Sequence, residues 1–465
     1  MRSLTKATMS VATVLLLAGC IDAPPPQDIG MATPDVWSRG GSAAPTQILA
    51  SDDTVAVEHK WWKGFADPTL DTLIGAALAN NKNLQIAKAR VLEAEAGRQG
   101  ARAALLPNIS ATGALSRGNQ GYATANKAVG TAEIDLQATW ELDLFGKNQA
   151  RVRQSAALAE AADAERQAVM VSLLAEVART YFDLRDDEEQ IAITEQNLST
   201  QQKTLDLIRA QQTGALSSGL DVERAAAQVS TTAAELPARR AARETALNHL
   251  AVLVGAPPGT KDRLLAAAQP LAPLDPQILV AAPARVLASR PDVRAAERQF
   301  AAAVAAEESA TKELFPTLSL VGLFGLQESS LYWAKPWGVA TNLSQPLFDF
   351  GRIRSHIDAA DARQTQALLG YQETVLEALE DMENALSLYL HETKRQHDLD
   401  LAAAGNRKAV LLARAQYTAG YSGLLDLLVA QRDELEAESS LATSNTRLRK
   451  SLVAIYTAAG GGWDL

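Results

Sequence analysis

Catalysis or metal binding in this 465-residue chain would have to come from its thiols, imidazoles and clustered carboxylates. Cys20 is the single cysteine, so an intramolecular disulfide is excluded. The five histidines (His59, His249, His356, His391 and His397) fall into no HExxH or other ligand spacing. No GxSxG nucleophile turn and no GxxxxGK phosphate loop occurs. The run Asp186-Asp187-Glu188-Glu189 lies in a helical stretch and reads as a solvated face. The chain is therefore expected not to be an enzyme and to hold no metal or other cofactor. One patterned set of charges remains. In "TAEIDLQATWELDLFG", residues 131–146, apolar and polar side chains alternate with a period of two, as in a strand with one greasy and one wet face. Ile134, Leu136, Trp140 and Leu144 are expected to face lipid, and Glu133, Asp135, Glu141 and Asp143 to face water.

Composition points to long helices around that strand. The chain is 47% hydrophobic but only 5% aromatic, because much of its apolar share is alanine. A formal charge of −10 without a basic stripe argues against a nucleic-acid partner. Residues 1–19 have a basic start at Arg2 and Lys6 followed by a short apolar run, which is the form of a secretory signal peptide. Its end, Leu17-Ala18-Gly19-Cys20, resembles the lipobox of bacterial lipoproteins. That resemblance implies cleavage before Cys20 and a covalent lipid on its sulfur; an ordinary signal with a chance cysteine is the alternative. The Pro-rich stretch that follows makes residues 20–60 a lipidated N-terminal tether.

The rest of the chain is one unit written twice. "ALLPNIS" at 104–110 recurs as "ELFPTLS" at 313–319, an offset of 209. "LDLFGKNQAR" at 142–151 recurs as "LFDFGRIRSH" at 347–356, and "RAQQTGALSSGLD" at 209–221 as "RAQYTAGYSGLLD" at 414–426, both offset by 205. Residues 61–254 form the first repeat and 284–465 the second, with a Pro-rich linker at 255–283 between them. Each repeat reads as a helix (about 69–104 and 284–313), two strands (108–118 and 131–144; 317–327 and 337–348), a very long helix (147–214 and 352–418) and a returning helix (220–252 and 425–458). Pro237 predicts a kink or interruption in the first returning helix. At 1.5 Å per residue the long helices run for roughly 100 Å.

A sheet in a bilayer must close on itself, because open edges strand unpaired backbone groups in hydrocarbon. Closed membrane barrels use at least ~8 strands, so four per chain must be pooled with copies of the same chain. A half-buried strand of a soluble sandwich shows the same alternation, but the long helices leave little sandwich to join.

The paired "LPxxS"-like and "LFG/DFG" turns, the "ASRPDVRAAE" stretch at 288–297, the Tyr/Gly break at 417–420 and the terminal "GGGW" at 460–463 resemble the TolC-type outer membrane efflux family. The similarity is greatest to its OprM/NodT-like lipoproteins and covers residue 60 to the end. It implies a mainly α fold with a membrane β-barrel: a homotrimer with a 12-stranded barrel and a long α-helical periplasmic tunnel, two structural repeats per chain. The implied function is the outer membrane channel of a tripartite efflux pump. Its partners would be a periplasmic adaptor protein, an inner-membrane resistance-nodulation-division pump and outer membrane lipid. A periplasmic coiled-coil adaptor or interaction lipoprotein is the alternative; adaptors usually carry one helical hairpin, and two are read here. The resemblance also places a gate at the hairpin tips, 214–219 and 419–423. There Asp426 matches a tip aspartate of the family and Tyr417 the tyrosine that helps hold the tip closed. Asp221 is the repeat equivalent of Asp426. Val429 stands where the family has a further aspartate, so an apolar constriction from Leu425, Leu428 and Val429 is expected instead, with Arg414 or Arg209 paired to neighbouring acids. An aspartate in a first helical turn is also what a helix N-terminus prefers, and Asp221 and Asp426 meet that description equally.

Overall fold

The computed structural model describes residues 34, 37–38, 48–49, 60–118, 128–259, 278–279, 283–329 and 333–462, all within one compact unit. Cys20, the leader, most of the tether, most of the linker and Trp463 lie outside them. A two-residue strand β1 (Ile48–Leu49) and a 3-10 turn at Trp61–Phe65 lead into α1 (Pro68–Asn80) and α2 (Lys82–Ala103). Strands β2 (Asn108–Gly118) and β3 (Val129–Leu142) follow, then α3 (Lys147–Thr213) and α4 (Gly219–Leu253). The second repeat opens after β4 (Ile278–Leu279), which pairs in parallel with β1. It comprises α5 (Pro283–Ser289), α6 (Pro291–Thr311), β5 (Thr317–Ser329), the short β6 (Trp333–Ala334), β7 (Trp337–Ser344), α7 (Arg352–Thr418) and α8 (Leu424–Ala458).

The repeat is preserved residue by residue. Asn108 stands opposite Thr139 in the first hairpin, and their equivalents Thr317 and Ser344, 209 and 205 positions on, stand opposite each other in the second. Both long helices have 67 residues, about 100 Å. Each starts from a left-handed glycine, Gly146 (φ 75°) and Gly351 (φ 90°), a conformation that a side chain disfavours.

One expectation about helix continuity fails, and of the kink or interruption expected at Pro237 the interruption is not found. The single helices expected at 69–104 and 284–313 are each broken, at Asn81 and Arg290. Asn81 closes α1 with its own N–H on the Ala77 carbonyl and opens α2 by accepting from the Leu84 N–H, so one residue ends one helix and caps the next. At the second break Pro291 occupies the first position of α6, where its missing N–H is harmless. Conversely, α4 runs unbroken through Pro237, whose ring sits on an exposed face of the helix.

Near the sheet the helices lie side by side in the order α2–α3–α6–α7; toward the tips the order is α4–α3–α8–α7. Only α3 and α7 run through both layers. Where the layers meet, Trp61, Phe65, Leu174, Tyr181 and Phe182 form the main core, and Trp61 stacks on Tyr456 at 5.5 Å. One carboxylate ties this core together: Asp67 Oδ1 caps α1 and Asp67 Oδ2 accepts from the buried Tyr181 hydroxyl at 2.7 Å. Burial, with that bond, pushes the Tyr181 hydroxyl above its ordinary range.

Most of the Asp186–Glu189 run is not a solvated face: Asp186, Asp187 and Glu188 are half-buried, and Glu189 alone is exposed. The run lies in the seam of α3 with α4 and α8, where Glu188 bonds Arg185 and Arg243 and Asp183 bonds Lys450. Burial raises the carboxyls of Asp186 and Asp187, helped for Asp187 by its charged neighbour.

Candidate functional site: the two-faced sheet and the hairpin tips

The sheet order is β2–β3–β5–β7, all antiparallel, with β6 continuing along the far end of β5. Because opposed residues share a face, the register sorts every side chain. One face carries the rows Ile109–Ala138–Gly322–Val339, Ala111–Leu136–Phe324–Trp337 and Gly113–Ile134–Leu326. Ile109, Ile134, Leu136, Phe324, Leu326, Trp337 and Val339 are all exposed there. The other face carries Asn108, Ser110, Thr112, Glu133, Asp135, Gln137, Thr139, Glu141, Ser319, Gln327 and Asn342, with Ala114, Val129, Val321, Leu323 and Ala340 as its apolar exceptions. Trp140 and Trp333, on the apolar face, mark the two ends of the band. Their rows, Leu320 and Glu328, are eight residues apart on β5, about 26 Å along the strand. That matches the ~25 Å apolar band, flanked by aromatic girdles, of membrane barrels.

The structure adjusts several predicted positions at the end of the sheet nearest the helices. Trp140 is half-buried and its indole N–H donates to the Leu105 carbonyl at 2.9 Å, so it anchors the band's edge, not its middle. β3 ends at Leu142, which puts Asp143 and Leu144 in a turn and not on the strand. Asp143 accepts from the N–H groups of Asn148 and Gln149; it caps α3, and alternation alone did not separate a cap from a strand residue. Leu144 is exposed in the turn. Glu141 keeps its place on the polar face, paired with Lys147 at 2.7 Å, and Asp349 caps α7 through Gly351 and Ile353. Higher on the sheet, Asp135 leans across its partner Gly325: a Cβ there would lie 2.0 Å from Asp135 Oδ1. The glycine makes room for the carboxylate, a signal that its opposed register reveals and its own sequence context does not.

At the opposite end of the long helices a second small core of Leu205, Ile208, Ala225, Leu424 and Leu428 joins the two tips. Leu428, expected in a constriction, is buried in this cluster, because it lies on the α8 face turned toward α3; Leu425 and Val429 are exposed. Asp221 completes a capping box with Ser218. It accepts from the Ser218 backbone N–H at 3.2 Å and hydroxyl at 2.7 Å, while its own N–H donates to Ser218 Oγ. Those bonds hold its carboxyl below the usual range. Asp426 is different: it is exposed, and no hydrogen bond or ion pair holds it among the described residues. Tyr417 donates to Gln211 Oε1 at 2.6 Å, joining α7 to α3. Burial, and then the charge of Asp221, raises its hydroxyl. Arg209 pairs at 3.8 Å with Asp206 on its own helix. Gln211 was not singled out from the sequence, since glutamine on a helix near a turn carries no distinguishing pattern.

The comparisons with known proteins converge on this architecture. The family model described as "Outer membrane efflux protein" matches residues 73–256 and again 282–461, so the duplication is the family's own unit. The pyoverdine export outer membrane protein OpmQ of Pseudomonas aeruginosa is 31% identical, over 98% of this chain and 96% of its own length. Nodulation protein T of Rhizobium leguminosarum bv. trifolii is 28% identical, over 97% and 96%. Among solved structures the outer-membrane channel OprN superposes with a TM-score of 0.81 at 34% identity, over 91% of this chain and 98% of that one. A chain with this duplicated hairpin, this two-faced sheet and these relatives belongs to the outer membrane efflux protein family.

Proposed function

We propose that three copies of the chain close a 12-stranded barrel in the outer membrane and a 12-helix tunnel below it, forming a passive exit duct for small molecules. The observation that carries this reading is the four-stranded sheet, with an apolar band across one face and a mainly polar opposite face, and with β2 and β7 as its outer strands. A single sheet of this kind leaves its edge N–H and C=O groups unpaired in hydrocarbon; pooling strands between copies pairs them. The polar face, with Glu133 and Asp135, then lines water, and Ile134 and Leu136 meet lipid. The duct performs no reaction and needs no cofactor. A periplasmic adaptor and an inner-membrane pump engage the tips and supply both energy and selectivity. A lipid on Cys20 adds a second attachment to the same membrane.

The test is mass in mild detergent: a uniform trimer supports the assembly, and a monodisperse monomer defeats it. The anchor is tested separately. Cys20→Ala should abolish incorporation of labelled fatty acid; undiminished labelling would place the lipid elsewhere or nowhere.

A further inference from the structure

The charges on the apolar face of the sheet, among the described residues, all lie at the end farthest from the helices. The strand register places them there. Trp333 opposes Glu328 and Trp337 opposes Phe324. Between these pairs the Gly325 N–H donates to the Pro336 carbonyl at 2.8 Å, so the chain passes from β6 to β7 without a slip. Lys335 therefore shares the apolar face with the two tryptophans, in the row of Ile134 and Leu326. Arg117, two residues beyond Leu115 on β2, lies on the same face in the row of Gly130. Glu328 is the third charge. Every other described strand residue of this face is apolar, a glycine or Thr341.

These positions straddle the margin of the apolar band. The row of Glu328 and Trp333 ends the band, and Arg117 stands two residues farther out, about 7 Å along the strand. Lys335 stands two residues inside, between the exposed indoles of Trp333 and Trp337. A lysine stem can run along apolar surface from there and deliver its ammonium to the margin. Lys335 and Arg117 are exposed, and no ion pair holds either among the described residues. A shallow groove floored by Gly130 and Ala132 lies between Arg117 and Glu328, so the margin offers room as well as charge. The end nearest the helices differs: its rows on this face are Leu142–Leu318–Leu343 and Trp140–Leu320–Thr341, without a charge.

We propose that the far margin of the apolar face seats a phosphate-bearing lipid of the outer leaflet, with Lys335 and Arg117 each binding phosphate oxygens and Trp333 and Trp337 set at the boundary between headgroup and acyl chains. Two cations against the single carboxylate of Glu328 leave the margin net positive, the sign that attracts an anionic lipid surface. The inference rests on the barrel reading above and deepens it, since that reading leaves the lipid chemistry of each leaflet open.

Native mass spectrometry of the full-length protein in dodecyl maltoside, titrated with diphosphoryl lipid A in the absence of divalent cations, tests the seat. The unaltered trimer should carry lipid A adducts and bind this lipid several-fold more tightly than monophosphoryl lipid A. Lys335→Gln and Arg117→Gln should each weaken binding about five-fold, the effect of one surface cation on an anionic lipid. The double variant should lose the preference for the second phosphate, and Lys335→Arg should bind like the unaltered protein. Lys203→Gln, exposed on α3 far from the sheet, controls for net charge and should change nothing. A double variant that binds as tightly as the unaltered protein overturns the seat, and so does a Lys203→Gln variant that loses as much. An unaltered trimer without adducts overturns the seat and leaves the barrel standing. A monomeric mass removes the barrel itself, and the seat with it.

Discussion

The Asn81 side chain donates to the backbone carbonyl of Leu253 at 2.9 Å, fastening the break between α1 and α2 to the last turn of α4. Its repeat equivalent, Arg290, donates from Nη1 to the carbonyl of Ala458 at 3.0 Å, 205 residues beyond Leu253. The glycines that follow are equivalent too. Gly255 (φ 74°) passes so close to Asn80 that a Cβ would lie 2.5 Å from its carbonyl oxygen, and Gly460 (φ 74°) lies against Ser289 and Arg290. The returning helix of each repeat is thus clamped to its opening helices at the same point.

The two clamps differ in chemistry, and this predicts unequal losses. Arg290 is buried and also bonds Asp292 at 2.6 Å and Asp381 at 3.0 Å. Those carboxylates outweigh the opposing effect of burial and raise its guanidinium above the ordinary range. Arg290→Ala removes a buried side chain, its bond to a carbonyl and two ion pairs whose carboxylates are partly solvated, and is expected to cost about 2–3 kcal/mol. Asn81→Ala loses one cap and one neutral hydrogen bond, about 1–2 kcal/mol. Thermal unfolding of the purified protein should therefore fall further for Arg290→Ala. Equal shifts would mean that the charge adds nothing to the clamp.

A second prediction follows from the α3 seam. Asp186 is desolvated between Arg239 of α4 and Thr446 of α8, with Asp183 and Asp187 beside it on α3. A carboxyl raised in the folded state binds its proton more tightly there than when unfolded, so its ionisation opposes folding. The seam should gain stability as the pH falls from neutral toward the unfolded carboxylate range near 4. Asp186→Asn should leave stability at neutral pH unchanged or improved and flatten the rise on acidification. Melting curves from pH 7 to 4.5 decide: a variant that keeps the full rise shows that the effect resides elsewhere.

What the sequence made legible, and what it hid, divides along a physical line. The duplication, the long helices and the reversal points were readable because prolines, glycines and recurring heptapeptides punctuate them locally. The break at Asn81 was hidden because buried positions recur at helical spacing across it, whereas the break at Arg290 was marked by Pro291 and missed; the clamp to Leu253 and Ala458 is a contact with a distant carbonyl. Asp143 was misplaced because a capping carboxylate two residues after Glu141 prolongs the alternation of a strand. Leu428 was misplaced because one helix cannot state which of its apolar faces meets another helix. The alternation of β3 between the two faces of the sheet holds as far as Leu142, since strand alternation is a property of the backbone itself.

That facing makes a third prediction. Leu136 lies on the row of Phe324, halfway between the rows of Trp140 and Trp333, so it sits near the middle of the apolar band. Leu136→Arg should reduce assembly in the outer membrane, since an arginine facing hydrocarbon at the midplane costs about 2–4 kcal/mol. Gln137→Arg, one residue along and on the polar face, should assemble at the level of the unaltered protein. Trp140→Arg, at the edge of the band, should be milder than Leu136→Arg. Equal behaviour of the Leu136 and Gln137 variants would show that the two faces are not separated by lipid.

The last prediction concerns the tips. Two links hold them in the form described: the Tyr417 hydroxyl on Gln211 between α7 and α3, and the Ser218–Asp221 box at the start of α4. A neutral hydrogen bond contributes about 1 kcal/mol net and a capping box about as much. We propose that this form is the closed tip; removing both links with Tyr417→Phe and Asp221→Ala then weakens it by about 2 kcal/mol, enough to raise an open population up to about 30-fold. Reconstituted channels of the double variant should therefore conduct more than the unaltered protein, and each single variant should lie between them. Asp426 calls for a different readout, because among the described residues no hydrogen bond or ion pair holds its exposed carboxylate. Brought together by assembly, several copies of it would concentrate cations at the tip. Asp426→Ala should weaken block by polyvalent cations added from the tip side while leaving conductance in their absence near the unaltered value. If the double variant conducts no more and Asp426→Ala is blocked as before, both aspartates serve only their helices, and the closure of the tip lies in the apolar cluster around Leu428.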